Sequence, residues 1–132
     1  MRTDEEIKDD IIQTLLTADI ESVITGKVYS EGERPSKSTS EDIIISTLST
    51  LNAPLQESFV NVNFYVRDLK RDNDMIRNRK RIRELTRILV GVLHNHAPNG
   101  FLIKVQSDKS YSVPKTSEHA VNIKLLITHL NY

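Results

Sequence analysis

Apolar positions fall first into a helical rhythm. Ile7, Ile11, Leu15 and Ala18 recur every three or four residues, and Ile12 and Leu16 widen the stripe. Thr3 and Glu6 stand at capping-box spacing, which predicts a helix over about residues 4–18. Its first turns are crowded with acids, where the positive end of the helix dipole favours them. From Ser22 to Tyr29 the chain mixes Val23, Ile24, Val28 and Tyr29 around Gly26, which fits a short strand. Residues 30–40, SEGERPSKSTS, then carry no apolar side chain apart from Pro35. Such a segment has little surface to offset the entropy of ordering, so an exposed, mobile loop is expected over 30–41.

The period then drops to two. Asp42–Leu51 is rich in β-branched residues and predicts a strand, closed by an Asn52-Ala53-Pro54 turn. Beyond the turn, Val60, Val62, Phe64 and Val66 alternate with Phe59, Asn61, Asn63 and Tyr65, a second strand expected to pair antiparallel with the first. From about Asp74 to His96 the helical period returns, with Ile82, Leu85, Leu89, Val92 and His96 on one stripe and Ile88 and Leu93 beside it. Asn73 or Asp74 is the expected cap. Gly91 costs this helix on the order of 1 kcal/mol relative to alanine, and a close approach to the sheet would account for it. Pro98-Asn99-Gly100 ends the helix, and strands follow over Phe101–Ser107 and His119–Leu130. The second alternates Val121, Ile123, Leu125 and Ile127 with Asn122, Lys124, Leu126 and Thr128. Residues 107–118 between them read as a polar connection.

The predicted order is therefore α-β-β-β-α-β-β in a single α+β domain over residues 1–132. An antiparallel or mixed sheet of about five strands would carry both helices on one face. The other face would present Asn61, Asn63, Asn122, Lys124, Thr128 and a few apolar residues to water or to a neighbouring subunit.

Composition narrows the function. The chain is 38% hydrophobic and 27% charged, has no cysteine, and shows no apolar run long enough to span a bilayer. Its acidic amino terminus has no signal-peptide pattern, so a protein made inside the cell and without membrane contact is expected. Eighteen bases cancel eighteen acids, yet they are unevenly placed. Asp4, Glu5, Glu6, Asp9 and Asp10 head an acidic first helix. Arg67, Lys70, Arg71, Arg77, Arg79, Lys80, Arg81, Arg83 and Arg87 form a basic stretch holding only four acids. Opposite patches suit pairing within the chain or head-to-tail contact between copies; the alternative is two solvated faces.

Signatures of chemistry are missing. His94 and His96 lie about 200° apart on a helix, and His119 and His129 are roughly 33 Å apart along a strand, so neither pair suits a metal. Asp72-Asn73-Asp74 opens like a calcium loop but has Arg83 where the terminal glutamate belongs. Neither a glycine-rich phosphate loop nor a nucleophile elbow occurs. No enzyme and no cofactor are expected. Within the basic stretch Arg79, Arg83 and Arg87 align at i, i+4 and i+8 with no aromatic residue between them. Three readings stay open: a solvated face, a protein interface, or contact with a nucleic-acid backbone without base recognition.

ITGKVYSEGERPSKSTSEDIIISTL (24–48) followed by FVNVNFYVRD (59–68) resembles the tail terminator, or tail completion, proteins of tailed bacteriophages and their prophage relatives. The resemblance is a pattern of elements: an amino-terminal helix, a glycine-led strand at Gly26, a mobile loop bearing Arg34-Pro35, two strands, a long helix and a closing hairpin. It implies a structural subunit of a neck or tail ring, commonly six-fold with twelve-fold possible, that stops tail-tube growth and meets the head connector. An adaptor or stopper ring is the related alternative. By the same resemblance the protein belongs in the virion, assembled in the cytoplasm of the host bacterium, with DNA passing through the ring lumen. Glu31, Glu33, Arg34, Pro35 and Lys37 would form an assembly loop that orders against a neighbour, and the basic stretch would line a subunit interface or face the DNA.

Overall fold

A computed structural model describes residues 2–51, 55–97 and 100–130. Helix α1 spans Asp4–Thr17. The Glu6 amide donates to the Thr3 hydroxyl at 3.2 Å while the Thr3 amide donates to the Glu6 carboxylate at 3.0 Å, so the expected capping box is formed. A single 3₁₀ turn at Ile20–Ser22 follows, and the expected strand over 22–29 contracts to β1, Val28–Ser30. Strands β2 (Ile43–Leu51) and β3 (Leu55–Arg67) form the antiparallel pair read from the sequence. The turn expected at residues 52–54, and Pro98-Asn99 of the later one, lie outside the described residues.

The next element corrects the expected order. Residues 69–76 form a small hairpin, β4 (Leu69–Arg71) with β5 (Asp74–Ile76), separate from the main sheet. Asp72, in the left-handed region at φ 55°, turns it, a conformation its short polar side chain tolerates. Helix α2 consequently begins at Arg79, not Asp74, and its cap is Asn78, whose side chain accepts from the Arg81 amide. It ends at Leu93, so His96 leaves the stripe and instead bridges Ile103. Strand β6 runs from Phe101 to Val113 and β7 from Glu118 to Leu130. Most of the segment expected as a polar connection is thus strand, paired residue for residue with β7 up to Val113↔Glu118.

The main sheet has the order β1-β2-β3-β7-β6. It is mixed, because β1 runs parallel to β2 and every other pair is antiparallel. One face is closed by both helices. Ile7, Ile11 and Leu15 of α1 and Leu85, Leu89 and Leu93 of α2 share a core with Ile43, Val62, Phe64, Ile123 and Leu125. The α+β sandwich with two helices on one face is therefore present. Gly91 lies on the exposed side of α2, and a Cβ added there meets nothing within 4 Å, so no close approach requires it. Gly91→Ala should stabilise the fold by about 0.5–1 kcal/mol, read as a higher urea midpoint at unchanged m-value. A lowered midpoint would contradict this.

Candidate functional site

Alternation along β3 and β7 sends every second side chain away from the helices, onto a face that no other described element covers along most of its length. There Phe59 stands opposite Leu126, Asn61 opposite Lys124 and Asn63 opposite Asn122. Asn122 Nδ2 donates to both Asn61 Oδ1 (2.9 Å) and Asn63 Oδ1 (2.8 Å), which fixes the middle of the face as an amide ladder. Lys124 lies 4.9 Å over the Phe59 ring. Toward one end Leu55, Glu57, Leu102, Lys104, Leu126 and Thr128 border a groove of ≈620 Å³. Lys109, opposite Asn122 on β6, adds a further cation. The sequence had placed Asn61, Asn63, Asn122, Lys124 and Thr128 on this face, and that is where they lie.

The opposite end of the face is closed by the 30–41 loop. Joining parallel neighbours requires a crossover, and residues 31–42 supply it between β1 and β2. Glu31, Glu33, Pro35 and Lys37 are exposed, as expected, but Arg34 is drawn inward. Its guanidinium lies 3.9 Å from the Tyr65 ring and pairs with Asp42 and with Glu118, each at 2.9 Å. The side chains of these two acids are 2% and 0% exposed. Asp42 also accepts from the Ser38 hydroxyl and the Lys27 amide. Burial pushes the Asp42 carboxyl up, but these hydrogen bonds and the Arg34 charge outweigh it, so its pKa lies below the usual carboxylate range. Gly26 leaves the room: a Cβ there would stand 2.0 Å from Asp42 Oδ1 and 2.9 Å from the Glu41 carbonyl carbon. Sequence reasoning missed this cluster, because its members are up to 84 residues apart and Arg34 reads as one more solvated charge.

The basic stretch is divided among several elements. Arg67 ends β3, Lys70 and Arg71 lie on the β4–β5 hairpin, and Arg79, Lys80, Arg83 and Arg87 are exposed on α2. Arg81 is withdrawn from the patch. It makes a two-pronged pair with Glu41 (2.7 and 2.8 Å) and donates to the Val23 carbonyl, tying α2 to the segment before β1. Arg77 donates to Ser110 Oγ at 2.9 Å. On the acidic helix Arg2 pairs with Glu6 (3.2 Å) and Asp10 (2.7 Å), and Lys8 with Glu5 (2.8 Å). Asp4, Glu5 and Asp9 are exposed, and Glu5, Asp9, Gln13 and Leu16 follow one outward stripe.

The histidines are spread across the fold. His94 Nδ1 accepts from the Val105 amide, His119 sits 2.6 Å from Asp68, and His129 is buried against Phe101. Burial is the main cause holding the His129 imidazole below its ordinary pKa. No helix among the described residues is long and apolar enough to cross a membrane. The chain matches no protein-family model, and no curated protein matches its sequence.

Proposed function

We propose that this chain is a structural subunit of a bacteriophage neck or tail ring, one that ends the tail tube and offers a surface to the head connector. The observation that carries this reading is the uncovered sheet face opposite the helical layer. It combines half-buried Phe59, Leu102 and Leu126 with the exposed cations Lys104 and Lys109 and with Lys124. On the far side of the same subunit, α1 presents Asp4, Glu5 and Asp9, with Leu16 40% exposed beyond them. A face richer in cations, despite Glu57, and an opposite face richer in acids suit head-to-tail contact between copies, and such a contact closes into a ring when its rotation permits. The occupant of the sheet face in this reading is α1 of the next copy. An adaptor or stopper ring would use the same geometry.

Light scattering after size-exclusion chromatography tests the assembly. The wild-type chain should form oligomers as concentration rises. Leu126→Lys, which puts a cation into the apolar end of the face, should raise the concentration required by about tenfold or more, the effect of losing one central apolar anchor. Lys104→Glu with Lys124→Glu should also weaken it, and Glu5→Lys with Asp9→Lys should restore it in mixtures. A monomer at all concentrations would sink the ring reading. Loss of assembly in Arg79→Glu/Arg83→Glu/Arg87→Glu alone would instead make the basic ridge the partner of α1.

A further inference from the structure

We propose that the groove between α2 and the middle of β6 binds the phosphate backbone of duplex DNA without reading its bases. The groove has a volume of ≈310 Å³, and four arginines line it: Arg77, Arg79, Arg83 and Arg87, with Thr86 between them and Asp108 as the single acid. Arg79, Arg83 and Arg87 recur every four residues, so they leave the helix along one line at steps of roughly 6 Å. That geometry answers a ligand with regularly repeated anionic groups. Arg77 is held over the β6 wall by its bond to Ser110. Arg2, Arg34 and Arg81 all pair with carboxylates inside the chain, whereas Arg79, Arg83 and Arg87 have no such pair among the described residues.

The start of α2 supplies a second, independent observation. Its first turn is Arg79-Lys80-Arg81 with no acid. Cations at that end oppose the positive pole of the helix dipole. Arg81 recovers this through Glu41, but Arg79 and Lys80 have no comparable compensation among the described residues. Helix α1, by contrast, follows the rule with Asp4, Glu5 and Glu6 in its first turn. A local rule broken without internal compensation marks a place where something outside the chain sets the sequence. A phosphate there meets guanidinium forks and the positive end of α2 together.

A phosphodiester backbone fits better than an acidic protein segment. Ile82, half-buried, is the only apolar residue among the described residues that line the groove, so a peptide would find little to anchor it. None of the described lining residues is aromatic, which gives single-stranded bases no stacking platform there and favours a duplex gripped by its phosphates. The site is complete within one subunit and does not rest on the ring reading.

A short fluorescein-labelled duplex of arbitrary sequence, titrated by anisotropy over a series of salt concentrations, tests the assignment. Four phosphate contacts predict a slope of about −3 to −4 in log K against log salt. Arg79→Gln/Arg83→Gln/Arg87→Gln, checked as folded by circular dichroism, should flatten the slope to about −1 and lower affinity at least tenfold at low salt. Lys27→Gln/Lys115→Gln, which removes two exposed cations outside the groove, should change neither. Absence of binding at the lowest salt, or an unchanged slope in the triple variant, overturns the proposal. Displacement of the duplex by poly-glutamate at equal charge concentration would likewise overturn it and assign the ridge to an acidic protein. Light scattering on the same samples separates the two ideas. A monomer that binds DNA sinks only the ring, and an oligomer that does not bind sinks only this site.

Discussion

Arg34→Ala should destabilise the fold by about 3–5 kcal/mol, because it strands the buried carboxylates of Asp42 and Glu118 without their shared counter-charge. The lost stacking on Tyr65 adds to the effect. A urea titration measures it, and a loss under 1 kcal/mol would show that water or a neighbouring cation replaces the guanidinium. Acid titration of the wild type reads the same cluster. Asp42 has a native pKa below its unfolded value, so its contribution is fully present above the usual carboxylate range and is lost as pH falls through the native value. Without Arg34 that depression shrinks, and the acid unfolding limb should move to higher pH. Arg34→Lys should recover only part of the loss, since an ammonium does not reproduce the planar fork that reaches both acids.

Gly26→Ala should lower stability by about 2–4 kcal/mol, through forced repacking and a broken buried hydrogen bond. The new methyl would occupy the position of Asp42 Oδ1, which accepts from the Lys27 amide at 3.1 Å. Rotating the carboxylate away gives up that bond and disturbs the pair with Arg34, and the Glu41 backbone also stands in the way. Differential scanning calorimetry at neutral pH would register the change as a lower midpoint. Pairing Gly26→Ala with Asp42→Ala, which removes the carboxyl that the methyl would strike, decides the cause. A cost in the double variant well below the sum of the two singles is expected if both act through one cluster, and strict additivity would refute the steric account.

How far the sequence could be read depended on whether local pattern or distant contact set each element. Helix α1 and strand β3 were legible because Ile7–Ile11–Leu15 and Val60–Val62–Phe64–Val66 repeat at the periods that burial of one face imposes. The outward placement of Asn61, Asn63 and Asn122 was legible for the same reason, since they fall out of phase with the core positions, but their bonding into a ladder was not. The far half of β6 was not. Ser107 to Ser112 is an edge segment, mostly exposed on both faces, so no alternation is selected and only pairing with β7 makes it a strand. The start of α2 was misplaced because Asn73 and Asp74 read as a helix cap, whereas Asp72 and Asn73 turn a hairpin and Asp74 opens its second strand. The 30–41 loop was read by its lack of apolar surface, whereas one charge, Arg34, anchors it to an acid 84 residues away. The surfaces proposed as functional were visible in outline, but which arginines are already spoken for was not.

Strand β7 lies inside the sheet, between β3 and β6, yet it follows every other described element along the chain. While the chain is being synthesised, β3 therefore shows a bare hydrogen-bonding edge thirteen residues long, and β6 has no neighbour to pair with. Cooperative folding must wait for the late β3–β7 pairing, whose partners lie 51–75 residues apart, and long-range pairing of this kind slows folding. Nascent copies crowded on one message would meet one another edge to edge in that interval, so yield in the cell should depend on how quickly the last strand is delivered.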